Sequence, residues 1–214
     1  MAADDRPQYA SPPCFMHELD PAFRTMTEDA QTAQDVARWR KAQRQRLIAE
    51  RLEIPPEERT RLAGRIADRL DEEAGDLDGR TVSLYWPFRG EPDLRPWMQR
   101  VIERGARVAL PVVVAKGEPL VFRFWAPGEK LERGVWNIPV PSNGAPAVPD
   151  IVISPLVGAD PECYRLGYGG GFYDRTLAAM TAKPLVIGVG YTCARLPTIY
   201  PQWHDVPMDR LVLI

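Results

Sequence analysis

The sequence predicts an α/β fold: a single three-layer domain with a mostly parallel central sheet flanked by helices. Two observations support this prediction. Short segments rich in Val, Ile and Leu, such as 150–154 and 185–191, have the composition of strands buried on both faces of a sheet. They alternate with segments of helical periodicity, as expected when helices connect parallel strands. The length of 214 residues fits one such domain.

Residues 1–35 are expected to form an irregular or partly disordered N-terminal arm, and residues 36–214 the α/β domain. Residues 1–28 contain several prolines and show little apolar periodicity. The run Cys-Phe-Met-His-Glu at 14–18 contains metal-ligand residue types. Because no second ligand pair follows at a zinc-like spacing, we interpret this run as local packing of the arm.

A helical pattern extends from about residue 29 to residue 52, and three arginines lie on its apolar face: Arg40, Arg44 and Arg51. One interpretation is that their aliphatic stems cover apolar surface while their charged groups reach water. The other is that this face meets an anion such as a phosphate. From the helix alone the first interpretation is favoured, and both remain open.

The remaining elements follow from local patterns. Pro55 and Pro56 begin a second helix, because proline is tolerated in the first helical turn. A third helix is predicted from apolar residues at helical spacing between residues 94 and 102. A fourth helix follows a glycine-rich loop, at 172–181. Strands are predicted at 81–86, 107–112, 120–124, 150–154, 185–191 and 211–214.

Composition limits the functional classes. Lys and Arg number 27 against 29 Asp and Glu, a net charge of −2, which gives no electrostatic argument for a nucleic-acid or membrane partner. No apolar run is long enough to span a membrane, and no signal peptide is recognised. The 3 cysteines are scattered, which is typical of a reduced protein. We therefore expect a cytoplasmic monomer that binds small molecules.

The glycine-rich loop after the strand at 150–154 is the strongest candidate for a binding site. Four glycines, Gly167, Gly169, Gly170 and Gly171, precede a helix, so backbone N–H groups and the helix N-terminus can face a phosphate. Arg165 can bind phosphate oxygens in bidentate fashion, and Asp174 can hold a divalent cation on them. The loop is neither a Walker A sequence nor a dinucleotide-binding fingerprint.

The pattern Arg-Leu-Gly-x-Gly-x-Gly-aromatic-Tyr-Asp-Arg at 165–175 resembles the signature of the 5-formyltetrahydrofolate cyclo-ligase family. The similarity extends over roughly residues 36–212. Arg40 and Arg44 match a basic pair on the first helix of that family. Three further motifs match in order: Gly90-Glu91-Pro92-Asp93, Trp136-Asn137-Ile138-Pro139 and His204-Asp205-Val206-Pro207-Met208-Asp209.

This resemblance implies an ATP- and Mg²⁺-dependent enzyme that converts 5-formyltetrahydrofolate to 5,10-methenyltetrahydrofolate, with release of ADP and phosphate. It implies catalytic roles for Arg44, Arg165 and Asp174, and magnesium binding by Asp174 and Asp205. The implied ATP-binding residues are Arg40, Arg44, Arg165, Leu166, Gly167, Tyr168, Gly169, Gly170, Gly171, Phe172 and Tyr173. The implied substrate-binding residues are Trp86, Glu91, Tyr168, Gly169, Gly170, Gly171 and Phe172.

Several assignments keep an alternative. Trp86 either stacks on the pterin or belongs to the core, and Phe172 and Tyr173 either contact a ligand or pack the helix. Asp160 either supports the loop or is a ligand, and Arg175 is either part of the site or a solvated helix residue.

Two alternative functions also remain. One is a related nucleotide-binding enzyme that acts on a different cofactor-related substrate. The other is a non-catalytic folate- or nucleotide-binding module.

Overall fold

The computed structural model describes the backbone of residues 21–214 and the side chains of residues 31–214. The helices are α1 (Pro21–Glu53), α2 (Pro56–Glu73), α3 (Arg95–Glu103) and α4 (Phe172–Ala179). The strands are β1 (Thr81–Ser83), β2 (Arg107–Val113), β3 (Leu120–Trp125), β4 (Leu131–Arg133), β5 (Pro139–Pro141), β6 (Pro146–Ala147), β7 (Ile151–Pro155), β8 (Gly158–Ala159), β9 (Arg165–Leu166), β10 (Leu185–Gly190) and β11 (Arg210–Leu213).

The first helix begins earlier than the sequence pattern indicates. Residues 21–35 are helical rather than irregular, which corrects this part of the predicted arm. Pro21 is compatible with the helix because the N–H of a first-turn residue has no intrahelical partner in any case. Residues 1–20, including the run at 14–18, lie outside the described residues.

The chain divides into two compact units, Met1–Trp39 and Arg40–Ile214. In the described part of the first unit, Asp35 accepts hydrogen bonds from Gln31 at 3.1 Å and from Arg38. Both partners lie within one helical turn of Asp35, so these contacts support the helix locally.

Seven strands of the second unit form one mixed sheet in the order β11-β10-β7-β1-β2-β3-β6. The strand pairs from β11 to β2 are parallel, and the pairs β2–β3 and β3–β6 are antiparallel. The predicted mostly parallel sheet is confirmed. From β1 the chain continues to β2 on one side, whereas β7 joins β1 on its other side, so the strand order reverses between β1 and β7.

Both faces of this sheet are covered, as expected from its continuous apolar strands. In β7, Ile151 and Ile153 face one apolar cluster, which includes Leu70 of α2 and Trp97 of α3. Val152, between them, belongs to a second cluster, which includes Leu177 of α4. Alternate residues of one strand therefore contact helices on opposite faces, and the predicted three-layer α/β architecture is confirmed.

The first strand is shorter than predicted. Strand β1 ends at Ser83 instead of residue 86, although Leu84 still donates a backbone hydrogen bond to Ala109 at 3.0 Å. Pro87 cannot donate to a neighbouring strand, so the chain leaves the sheet before it. The segment that leaves the sheet here enters the candidate site.

Among the described residues, no helix is long and apolar enough to cross a membrane.

Candidate active site

A cavity of about 220 Å³ opens at the carboxyl ends of β1 and β7, where the strand order reverses. Open parallel sheets bind ligands at this position, because the chain leaves adjacent strands in opposite directions and a crevice remains between the loops. The residues that line the cavity are Arg40, Arg44, Tyr85, Trp86, Phe88, Glu91, Leu110, Pro111, Val113, Leu120, Val135, Trp136, Ile138, Pro139, Val140, Pro155, Arg165, Gly167, Tyr168, Gly169, Gly170, Gly171, Phe172, Tyr173, Asp174, His204 and Asp205.

The glycine-rich loop forms one wall of the cavity and continues into α4. Gly169 and Gly171 have φ angles of 99° and 64°, which side chains with a Cβ rarely adopt. At Gly170 an added Cβ would lie 2.7 Å from the Phe172 ring. The glycines therefore let the backbone follow a path close to its neighbours, and the N-terminus of α4 lies at the end of this path.

Arg44 of α1 lies directly against this loop. Its Nε donates a hydrogen bond to the Gly167 carbonyl at 2.7 Å, and its guanidinium lies next to Gly169. Burial lowers the pKa of Arg44, and the neighbouring positive charge of Arg40 lowers it further. A partly buried cation beside the glycine-rich loop and the N-terminus of α4 favours binding of an anion.

Arg40 lines the same cavity, but its donors are already used within the protein. Its guanidinium forms an ion pair with Asp205 at 2.5 Å and donates to the carbonyls of Ile199 at 2.9 Å and Tyr200 at 2.8 Å. Burial opposes ionisation of Asp205, yet the hydrogen bond from Arg40 and the N–H of Gln202 leave the pKa of this carboxyl lowered. Arg40 thus holds Asp205 in its charged form at the cavity.

Arg165 also forms a buried ion pair, with Asp174 at 2.8 Å. Its second terminal nitrogen donates to Ser154 Oγ at 2.9 Å, and its guanidinium covers the Tyr173 ring at 4.9 Å from the ring centroid. The bidentate phosphate contact expected of Arg165 therefore competes with Asp174 and Ser154. As the structure stands, Arg165 positions Asp174.

The two acids expected to bind magnesium are brought together. Asp174 accepts a 3.3 Å hydrogen bond from the N–H of Val206, the residue after Asp205, and both carboxylates line the cavity. Each is neutralised by its own arginine. Within the described part of the chain, no group of three or more His, Cys, Asp or Glu residues is arranged as a metal site. A cation here would thus have two protein carboxylates and would complete its coordination with ligand or water oxygens.

Glu91 also lines the cavity and is a buried carboxylate. It is 6% exposed, and one carboxylate oxygen accepts a hydrogen bond from the N–H of Phe88 at 2.9 Å. Burial raises its pKa to about 7, although the positive charge of Arg51 and hydrogen bonds from Phe88 and Tyr168 act in the other direction. Such a carboxylate is suited to a ligand that brings its own N–H donors into the pocket.

Four aromatic rings in the cavity lining contact one another: Phe88, Trp136, Tyr168 and Phe172. Phe88 and Trp136 are nearly parallel, with centroids 6.2 Å apart, and Tyr168 lies 5.7 Å from Phe88. Phe172 meets Trp136 edge-on at 6.4 Å. Trp136 is 52% exposed and has a φ of 55°, an unfavourable conformation for a bulky residue. Backbone strain of this kind clusters at ligand sites, so we assign this ring to the site.

The structure resolves several of the alternatives left by the sequence. Trp86 packs against the core and meets Trp125 edge-on at 5.8 Å; it also lines the cavity, and stacking on a pterin stays a prediction. Asp160 supports the loop, because its carboxylate accepts backbone hydrogen bonds from Tyr164 and Ile199, each at 3.0 Å. Arg175 is held in place by the carbonyl of Gly170 and the ring of Phe172.

One predicted ATP-binding residue does not lie in the cavity wall. Leu166 is buried in β9, and its carbonyl accepts a hydrogen bond from Val157 at 2.8 Å. The reason is the strand geometry: alternate side chains point to opposite faces, so Leu166 turns towards the interior. Phe88 and Trp136 were missed as site residues, although the matched motif that begins with Trp136 already indicated its segment.

The sequence is similar to proteins of one known family. The model of the 5-formyltetrahydrofolate cyclo-ligase family matches residues 36–213. A 5-formyltetrahydrofolate cyclo-ligase of Mycolicibacterium smegmatis is 35% identical over 144 residues, covering 64% of this chain and 74% of that protein. One of Escherichia coli is 29% identical over 167 residues, covering 74% and 91%.

Solved structures give the same result. The NMR structure of Aquifex aeolicus 5,10-methenyltetrahydrofolate synthetase matches with a TM-score of 0.70 at 29% identity, over 81% of this chain and 89% of that one. The corresponding synthetase of Mycoplasma pneumoniae has a TM-score of 0.67 over 80% and 96%, and at 22% identity it supports the fold alone. Because the family model covers most of the sequence and includes every segment of the cavity, the chain belongs to the 5-formyltetrahydrofolate cyclo-ligase family, a family of ligase enzymes.

Proposed function

We propose that the protein converts 5-formyltetrahydrofolate to 5,10-methenyltetrahydrofolate in a reaction that consumes ATP and requires Mg²⁺. The observation that carries this proposal is that one cavity has two kinds of lining. One kind is a glycine-rich loop, a helix N-terminus and arginines, which suit a triphosphate. The other kind is a buried carboxylate, Glu91, together with aromatic rings, which suits a pterin.

The proposed chemistry begins with phosphoryl transfer. The formyl group on a folate nitrogen is an amide, so its oxygen is a poor leaving group. Attack of this oxygen on the γ-phosphorus of ATP forms a P–O bond, breaks the bond to the β-phosphate oxygen and releases ADP. The second folate nitrogen then attacks the formyl carbon and loses its proton. The C–O bond breaks, phosphate leaves and the five-membered ring is closed.

Arg44 and the glycine-rich loop carry the first step in this proposal. Phosphoryl transfer depends mainly on alignment and on neutralisation of charge at the phosphate oxygens. The Arg44 guanidinium is fixed against the loop by the Gly167 carbonyl, at 2.7 Å, and points into the same cavity as the N-terminus of α4. These groups can therefore hold the triphosphate without first rearranging the loop.

Asp174 and Asp205 are the proposed ligands of Mg²⁺, which supplies neutralisation of phosphate charge when bound. The donor set fits, since hard cations prefer carboxylate oxygens and both acids line one cavity. A cation at these carboxylates would take over the compensation that Arg165 and Arg40 now provide. The two guanidinium groups would then be able to turn towards phosphate oxygens.

Glu91 and the aromatic rings are the proposed pterin site. A pterin carries adjacent N–H donors on a flat ring, and an ionised carboxylate in an apolar pocket is a strong acceptor for such donors. Phe88, Trp136 and Phe172 offer flat or edge contacts to a ring held in this position. The folate would thus be fixed with its formyl group towards the glycine-rich loop.

The test uses the purified protein with 5-formyltetrahydrofolate, ATP and magnesium, and follows methenyl formation by its absorbance. Asp174→Asn should abolish product formation, because it removes a proposed metal ligand while keeping the size of the side chain. Asp209→Asn is the matched control and should retain activity: Asp209 lies in the C-terminal motif that contains Asp205, but its carboxylate accepts a hydrogen bond from the Val186 N–H at 2.7 Å. Absence of product with wild-type protein that still binds ATP would favour a different substrate.

The remaining expectations are part of the same proposal: a cytoplasmic monomer that acts on a small folate and ATP and contacts neither nucleic acid nor membrane. A non-catalytic module is the weaker alternative, since it has less need of two carboxylates next to a phosphate-binding loop. Folate binding that is independent of ATP, without turnover, would support that module.

A further inference from the structure

Arg51 of α1 is a buried cation that none of the roles above explains. It is 4% exposed and lies behind the cavity wall rather than in it. A buried guanidinium is costly to remove from water unless its donors are satisfied and its charge serves a partner. Its position in the fold therefore needs a reason.

The hydrogen bonds of Arg51 join the three segments that build the cavity. Its Nε donates to the carbonyl of Arg89 at 3.0 Å, in the segment between β1 and α3. One terminal nitrogen donates to the carbonyl of Leu156 at 3.1 Å, just after β7. The other donates to the hydroxyl of Tyr168 at 2.6 Å, in the glycine-rich loop. A single planar group thus fixes the distances between these segments.

The partner Tyr168 connects Arg51 to the pterin side of the cavity. Its hydroxyl lies 3.3 Å from the carbonyl of Phe88, and it also interacts with the carboxylate of Glu91. The ring of Tyr168 packs against Phe88 and Trp136, at centroid distances of 5.7 and 6.2 Å. If Tyr168 moved, the aromatic wall and the environment of Glu91 would change together.

The charge of Arg51 acts on Glu91. The groups around Glu91 are Arg51 from α1, Tyr168 from the glycine-rich loop, Tyr85 from the segment after β1 and Tyr173 from α4. Of these, Arg51 carries a positive charge, and it lowers the pKa of Glu91 against the larger effect of burial. The three tyrosines stay neutral, because burial raises the pKa of each hydroxyl.

We propose that Arg51 is a positioning residue: it holds Tyr168 against the Phe88–Glu91 segment and keeps the Glu91 carboxylate ionised, so that the folate site is ready to bind. This inference rests on the proposed function. Arg51 lies outside the cavity wall, yet in this proposal it determines the protonation state of Glu91 and the shape of the proposed folate site. The proposal also explains why this residue is an arginine. The planar guanidinium reaches three separate acceptors, which the single ammonium group of a lysine could not do in the same geometry.

The experiment measures kcat/KM for 5-formyltetrahydrofolate between pH 6 and pH 9, at saturating ATP and magnesium. For wild-type protein we expect a rise with a midpoint near pH 7, as Glu91 ionises. Removal of one nearby opposite charge shifts a carboxyl pKa by about one unit or more. In Arg51→Met the midpoint should therefore move upward by about one pH unit, with activity at pH 7 lowered roughly fivefold and largely recovered at pH 9.

Three variants separate positioning from general stability. Arg51→Lys keeps the charge but loses part of the hydrogen-bond network, so its midpoint should stay near that of wild type while kcat/KM falls at every pH. Arg59→Met removes a cation that lies against Gly90 of the same segment, and its profile should match wild type. Arg51→Gln, which keeps an N–H for Tyr168, replaces Arg51→Met if the latter does not fold.

Two results would overturn the inference. If wild-type protein is active and the neutral Arg51 variant lowers kcat/KM by the same factor at every pH, Arg51 does not control Glu91, and the proposed function still stands. If wild-type protein forms no methenyl product at any pH, the proposed function fails, and the role of Arg51 fails with it.

Discussion

Substitution of Glu91 by glutamine should stabilise the free protein, and the gain should depend on pH. Burial raises the pKa of Glu91 from 4.5 to about 7. The folded state therefore favours the protonated acid, and the contribution of this group to stability, complete below pH 4.5, is lost as the pH rises towards 7. Glutamine resembles the protonated form and remains neutral at every pH.

The size of the effect follows from the two pKa values. At about 1.4 kcal/mol per pKa unit, the difference between 4.5 and about 7 corresponds to about 3 kcal/mol above pH 7. At pH 5 the acid is mostly protonated in the folded state, and the gain should be roughly 1 kcal/mol. For a domain of this size the larger value corresponds to a rise in Tm of about 6–12 °C.

Urea denaturation of both proteins at pH 5 and pH 8, without ligands, measures this difference. Glu118→Gln, in the exposed turn between β2 and β3, removes the same formal charge and should change stability little at either pH. An equal change at both pH values, or a loss of stability at pH 8, would refute the reasoning. The same variant should bind folate much more weakly, because the amide presents a donor where the pterin needs an acceptor.

Three further outcomes are expected. Arg44→Met should raise the KM for ATP roughly ten- to a hundredfold in steady-state assays, as expected for loss of a charge-assisted contact, whereas the exposed Lys41→Met should not. Arg165→Ala should lower the unfolding free energy by about 3 kcal/mol or more, because Asp174 is left largely buried without its partner. Denaturant titrations measure this loss, and unchanged stability would mean that the ion pair is dispensable. Trp136→Ala should raise the KM for folate about three- to tenfold with little change in Tm, and Trp203→Ala, at a ring 94% exposed, is the control.

Much of the architecture could be predicted from local patterns. The apolar runs that became β7 and β10 are buried on both faces, and this composition alone indicates a covered parallel sheet. The start of α1 was misjudged because residues 21–28 follow several prolines and lack an apolar stripe. Helix propensity without amphipathicity leaves little trace in a pattern of hydrophobicity.

The site was predicted in part, for a similar reason. Glycines before a helix indicate a phosphate loop; the structure has a glycine-rich loop before α4 at the cavity, and phosphate binding by it stays a prediction. The partners of each charge could not be predicted, because Arg165 and Asp174 pair across the loop and Arg40 and Asp205 are 165 positions apart. The role of Arg51 was also hidden, since its three acceptors come from segments that approach one another only in the folded chain.

In the proposed ATP site, the two arginine–carboxylate pairs affect which form of the nucleotide can bind. The formal charges of the two ion pairs, Arg40–Asp205 and Arg165–Asp174, sum to zero. These pairs therefore attract an approaching polyanion only weakly. Metal-free ATP would have to pull each guanidinium away and abandon two buried anions, which is unfavourable. The magnesium complex brings a cation that can pair with Asp174 and Asp205. The two arginines could then pair with phosphate oxygens, and no charge would be left without a partner. The site would then prefer the magnesium complex to metal-free ATP because Mg²⁺ replaces the arginines as partner of the two carboxylates. This preference would not depend on the shape of the cavity.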